Sequence, residues 1–108
     1  MLELSQFHGT TQYFNVMNVN VTDGVKYLMD NGYSWLVTDF IVVAKMKRVL
    51  KNEEFLSVKL KLDGSKGQMI VTDGNGKKLY VQNYEYTDAK EEVKMFFTNN
   101  VLMFTSEY

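Results

Sequence analysis

No cysteine occurs in this sequence, which removes disulfides, thiolate metal sites and a cysteine nucleophile at once. Histidine occurs once, as His8, too few for a zinc site. Proline is absent, arginine appears once, and Asn, Lys and Tyr are plentiful, the bias of an AT-rich coding sequence. No apolar run reaches the roughly 18 residues of a membrane helix, because Asp39 and Lys45 interrupt the best candidate. Charge of one sign is also lacking. Twelve Lys and Arg against thirteen Asp and Glu leave a formal charge of −1. A nucleic-acid mimic needs a large acidic excess and a strongly electrostatic nucleic-acid binder a basic one; only a local patch stays open. Glu3, Gln6 and His8 break the opening residues, so no signal peptide is expected. A soluble protein of the reducing cytoplasm is the expectation.

What is present fits one globular domain spanning residues 1–108. Its 45% hydrophobic and 23% charged residues are ordinary for that class. The longest strongly apolar stretch is WLVTDFIVVAKMKRVLK, residues 35–51. Wound at 100° per residue it carries two apolar stripes. Leu36, Phe40, Val43 and Leu50, widened by Val37 and Ala44, form one. Trp35, Val42, Met46 and Val49 form the other. A helix apolar on two sides is buried between layers or meets a partner.

The remaining elements follow from period and punctuation. Residues 2–10 allow a short helical turn, and 12–21 alternate loosely as an edge strand or arm. Thr22 or Asp23 caps a short helix that Gly32 stops, and Ser34 is the expected N-cap of the central helix. Lys45, Lys47, Arg48 and Lys51 suit the negative end of that helix, a solvated end being the plain reading and a phosphate patch the alternative. From Glu54 the period changes to two, with Leu56, Val58, Leu60 and Leu62 opposite Ser57, Lys59 and Lys61. Glycine-containing turns then separate GQMIVTD and KKLYVQNYEYTD, giving an antiparallel meander. Thr87 or Asp88 caps a further helix through Asn99, with Glu91 three places after Asp88 completing a capping-box pattern and Ala89, Val93, Phe96 and Phe97 inside. VLMFTSEY reads as a last strand, pairing with the sheet or with another chain. The fold class expected is α+β: an antiparallel meander of three to five strands with two to three helices packed on one face.

No constellation amounts to a reaction centre. His8 with Ser5 or Ser34 lacks any fixed geometry. Asp73-Gly74-Asn75-Gly76 resembles the start of a calcium loop, but Lys77, Lys78 and Leu79 follow, and Tyr84 stands where the twelfth-position glutamate is needed. A hairpin turn is the simpler reading. Glu53-Glu54 and Glu91-Glu92 make no paired-carboxylate site. No cofactor and no metal are expected, and the protein is expected not to be an enzyme. The third strand offers Tyr80, Gln82, Tyr84 and Tyr86 on one face. If Leu79 and Val81 meet the core, these tyrosines stand outside beside Lys59 and Lys61. Such a surface suits a protein partner anchored by tyrosines or, as the alternative, stacked bases of a single strand.

Five stretches, LSQFHGTTQY, TDGVKYL, YSWLVTD, EEFLSVKLKL and DGNGKKLYVQNYEYTD, resemble a family of small uncharacterised single-domain proteins of bacteria, phages and mobile elements. The match covers roughly residues 2–88, with VLMFTSEY outside its clearest part. The resemblance implies an α+β domain and carries no established activity, so no functional residue transfers. The expectation drawn from all of this is a non-enzymatic protein-binding module. By analogy with genes on phage-like elements, its partner is a host protein such as an antiviral-defence (CRISPR) effector. The contact residues expected are Tyr80, Tyr84, Tyr86, Lys59, Lys61, Trp35 and Met46. Self-association as a homodimer belongs to the same expectation.

Overall fold

The computed structural model describes residues 13–47 and 52–108. Seven strands form one sheet. The first two, β1 (Phe14–Val16) and β2 (Val19–Val21), make a hairpin. Met17 and Asn18 at its tip both have positive φ, the backbone of a two-residue turn whose twist matches its strands. The loosely alternating stretch is thus two short strands rather than one arm.

Helix α1 (Asp23–Leu28) starts where Thr22 was expected to cap it: the Thr22 hydroxyl accepts from the Val25 amide at 3.3 Å. Gly32, at φ 98°, breaks the helical path as predicted. Helix α2 (Ser34–Met46) follows directly, with Tyr33 rather than Ser34 at its N-cap. Leu36, Val37, Phe40, Ile41 and Val43 are its buried side, matching the first stripe of the sequence. The expected run to Lys51 is not met, because Lys47 is already extended at φ −92°, ψ 117°. Arg48, Val49, Leu50 and Lys51 lie outside the described residues. So do Ser5, His8 and the expected turn at 2–10.

The meander is as predicted: β3 (Phe55–Asp63), β4 (Lys66–Asp73) and β5 (Lys78–Tyr84) pair antiparallel in sequence. The helix expected over 88–99 is a strand instead, β6 (Val93–Thr98), joined to β7 (Val101–Phe104). Thr87 and Asp88 cap nothing: the Thr87 amide donates to the Ser65 carbonyl at 2.7 Å, and its hydroxyl accepts from the Ala89 amide at 3.1 Å in a local turn. Val93, Met95 and Phe97 then face inward against Leu60, Val58 and Leu56 of β3. Pairing along a fully apolar strand face outweighs the modest local gain of a capping box.

The strand order is β1-β2-β7-β6-β3-β4-β5. Every pair is antiparallel except β2 with β7, where Val21 lies opposite Leu102. The fold is α+β as expected. Among the described residues the strand count is seven rather than three to five, and the helical layer is one kinked region, α1 and α2, rather than two to three separate helices. Both helices pack on a single face of the sheet, over Val19, Val21, Leu56, Val58, Leu60, Met69, Val71, Met95 and Leu102. Tyr33 clamps the 85–92 connection to this layer, its hydroxyl donating to the Glu91 carbonyl at 3.0 Å and accepting from the Glu91 amide at 3.1 Å.

The C-terminal 3-10 turn, Thr105–Glu107, locks the start of α1. The Glu107 carboxylate accepts from the Thr22 hydroxyl at 2.6 Å, the Gly24 amide at 3.2 Å and the Phe104 amide at 2.9 Å. Negative charge at a helix N-terminus is favourable. The approach is so close that a Cβ on Gly24 would lie 2.6 Å from the Phe104 ring, which is why glycine serves there. Among the described residues no helix is long and apolar enough to cross a membrane.

Candidate functional site

Strand register decides which side chains share a surface. On β5, Tyr80, Gln82 and Tyr84 lie opposite Val71, Met69 and Gly67, the helix-facing side of β4. Val81 and Asn83 lie opposite Ile70 and Gln68, and Ile70 in turn opposite Lys59. The tyrosines therefore do not stand beside Lys59 and Lys61. They face α2, and the two lysines occupy the other side of the sheet. The physical reason is a bulge between Val71 and Thr72: it puts Tyr80 rather than Leu79 in phase with the core side, and the partly polar edge of the core accepts hydroxyls that reach a partner.

Those partners form a polar seam along the α2–β5 edge. The Tyr84 hydroxyl donates to Asp39 Oδ2 at 2.8 Å and accepts from Gln82 Nε2 at 3.3 Å, while the Tyr80 hydroxyl donates to Gln82 Oε1 at 2.9 Å. The Trp35 ring meets Tyr84 edge to face at 5.0 Å. Lys47 Nζ lies 5.6 Å over the Tyr80 ring. Burial, then the bond and the negative charge of Asp39, and then Tyr80 push the Tyr84 phenol above its ordinary value of 10.0, so it is a neutral donor throughout the physiological range. Tyr86, two residues beyond the strand, is 74% exposed, as is Met46 at the far end of α2. Trp35, Tyr84, Tyr86, Thr87 and Asp88 enclose a recess of about 200 Å³, smaller than the roughly 300–1,000 Å³ of small-molecule sites. This edge is a surface, not a cleft.

The opposite face of the sheet carries no helix among the described residues. At one end Phe55, Phe96 and Tyr108 form a triangle of rings with centroids 5.0 to 5.6 Å apart, and Met103 lies opposite Phe96. Alongside, Lys59 stands directly opposite Lys94 across β3 and β6, and Lys61 is the next residue on the same side of β3. Lys94 Nζ sits 5.8 Å over the Phe96 ring. Like charges directly opposite in a ladder are unfavourable, and these lysines are exposed. Reading 88–99 as a helix puts Phe96 in the core and hides Lys94, whereas the strand sets both on the open face; Phe55, Met103 and Tyr108 join them only through pairing across the sheet and the C-terminal turn. The alternation in VKMFFTNNVLMF is the signal that places Lys94 and Phe96 together.

The Asp73 turn is a hairpin as read: its carboxylate accepts from the Asn75 and Lys77 amides at 2.8 and 2.9 Å, with Gly76 at φ 85°. Among the described residues no three His, Cys, Asp or Glu side chains gather as metal ligands. The arrangement is that of an open-faced α+β domain, one helical layer on a mixed sheet, presenting one aromatic and basic sheet face. The chain belongs to the Family of unknown function (DUF6876), whose model matches residues 2–108 and so takes in the C-terminal strand as well. No curated protein matches it, and no solved structure does.

Proposed function

We propose that this protein is a non-enzymatic binding module that takes a protein partner on its open sheet face. The observation that supports this is the ring triangle Phe55–Phe96–Tyr108 with Met103 beside it, flanked by Lys59, Lys61 and Lys94. Aromatic and methionine side chains supply contact area at interface centres, and charges at the rim steer the approach. The fitting partner presents apolar side chains within an acidic border. The resemblance to proteins of phages and mobile elements makes a host protein, antiviral-defence effectors included, the first class to assay.

Affinity capture with the wild-type chain and a folded Phe96→Ser variant tests this reading. The expected result is one partner held by the wild type and bound about tenfold or more weakly by the variant, the scale of an interface anchor. Equal retention by both removes the face from consideration.

The opposed Lys59 and Lys94 favour a second reading, a single-stranded nucleic acid with bases on the rings and phosphates on the lysines. Its mark is salt dependence, with log affinity falling by about 0.7 per phosphate contacted for each decade of salt. Anisotropy of a labelled oligonucleotide at low salt, with Lys59→Glu/Lys94→Glu as control, decides it: no binding by the wild type ends this alternative.

A further inference from the structure

The strand β5 is an outer strand of the sheet, with β4 on one side and no other described strand on the other. Its backbone makes no hydrogen bond to any described segment besides β4 and the turn that precedes it. Such an edge is a ready template for another strand, and proteins ordinarily blunt it with charge, proline or a short length. Here residues 79–84, Leu-Tyr-Val-Gln-Asn-Tyr, are uncharged, contain no proline and run at full strand length. The charges sit at the ends instead: Lys77 just before the strand, Lys78 as its first residue, Glu85 after it. All three are exposed, and none makes an ion pair with another described residue.

We propose that β5 pairs with β5 of a second copy of this chain, antiparallel about a two-fold axis at Gln82, joining two seven-stranded sheets into one. Two adjacent antiparallel strands are related by a two-fold only when the axis is normal to the sheet, so residue i meets a residue of the same face. With Gln82 on Gln82, Val81 lies opposite Asn83 and Tyr80 opposite Tyr84 of the second copy. The bulge leaves Leu79 out of step and puts Lys78 next on the Val81 face, so Lys78 comes opposite Glu85. Each ion pair occurs twice. Shifting the centre to Val81 or Tyr80 loses that match, so the charges select the register.

The same operation accounts for the second apolar stripe of α2. The flank bearing Trp35 and Asp39, which contact Tyr84, also carries Val42 and Met46 at helical spacing. It runs along β5, since Lys47 at the other end stands over Tyr80. In the pair of chains this flank faces its own copy across the axis, giving Met46, 74% exposed in the single chain, an apolar neighbour. The open sheet face stays uncovered, so this assembly is independent of the binding reading above.

Sedimentation velocity over a concentration series, with mass from light scattering, reads the outcome. The wild type is expected at twice the 12.6 kDa of one chain, and Val81→Lys, which sets two cations diagonally across the axis on one face of the joined sheet, at the single mass. Val81 is 39% exposed, and circular dichroism confirms that the variant folds. The decisive arm is a charge exchange. Lys77→Glu/Lys78→Glu alone and Glu85→Lys alone each place like charges at both ends and give single chains. Mixed in equal amounts they form a heterodimer, because both ends are again complementary. A wild type of single mass at every concentration, a Val81→Lys variant still at double mass, or a mixture that does not associate overturns the proposal.

Discussion

Tyr84 joins the helical layer to the outer strand, and its hydroxyl is the middle of the chain from Tyr80 through Gln82 to Asp39. Its phenol is raised above 10.0 by burial and by Asp39, so the folded chain keeps this proton at a pH where the unfolded chain has released it. Stability from this group is therefore whole below about pH 10 and falls as pH rises further. Chemical denaturation from pH 8 to 11 should show wild-type stability dropping at the alkaline end by more than that of Tyr84→Phe. At neutral pH the same variant should be less stable by about 1–2 kcal/mol, because Asp39 and Gln82 lose a partner. Parallel pH curves for the two proteins would show that the hydroxyl is not held as described. That Tyr84 brings a ring and a hydroxyl in need of a partner is legible from the sequence, but the neighbours it finds are not. A one-residue bulge reverses which side of a strand faces inward, and nothing in KKLYVQNY announces it.

At the level of elements, the chain was readable where one period persisted. Leu56, Val58, Leu60 and Leu62 alternate cleanly, and β3 through β5 follow. Gly32 and Thr22 carry the signals of a helix stop and a cap and do both. The misreading lay at 88–99, where Asp88 and Glu91 imitate a helix start while the residues after them favour a strand. The deciding feature was the pair Asn99-Asn100 between two apolar runs. Both adopt positive φ, 52° and 62°, as the two-residue turn between β6 and β7 requires. Asn tolerates that region and β-branched residues do not. Asn99→Val should thus lower stability by about 1–2 kcal/mol, whereas Asn99→Gly should stay near wild type; thermal melts of the two compared side by side settle it. Helix α2 ends at Met46, where Lys47 turns extended and its ammonium lies over the Tyr80 ring, a contact that local propensity does not announce.

For the molecule as a whole, the two surfaces divide the residues that the sequence grouped together. Lys59 and Lys61 belong to the open face with Phe96 and Tyr108. Trp35, Tyr80, Tyr84 and Met46 belong to the α2–β5 edge, and Tyr86 stands at its end. Single-residue chemistry was visible without coordinates, because aromatic and basic side chains announce themselves. Their grouping was not, since it depends on strand order across 108 residues. If the edge pairs as proposed, unfolding of the wild type becomes bimolecular, and its melting temperature should climb with protein concentration while that of Val81→Lys stays fixed.

The parallel pairing of β2 with β7 has a consequence for biosynthesis. Asn20 and Val21 find their ladder partners only at Val101 and Leu102, and the carboxylate that fastens α1 comes from Glu107. On a translating ribosome the leading hairpin lacks its ladder partner, and the start of α1 its carboxylate, until residues 101–107 have emerged. That seam of the sheet works like a clasp whose two halves are made far apart on the thread.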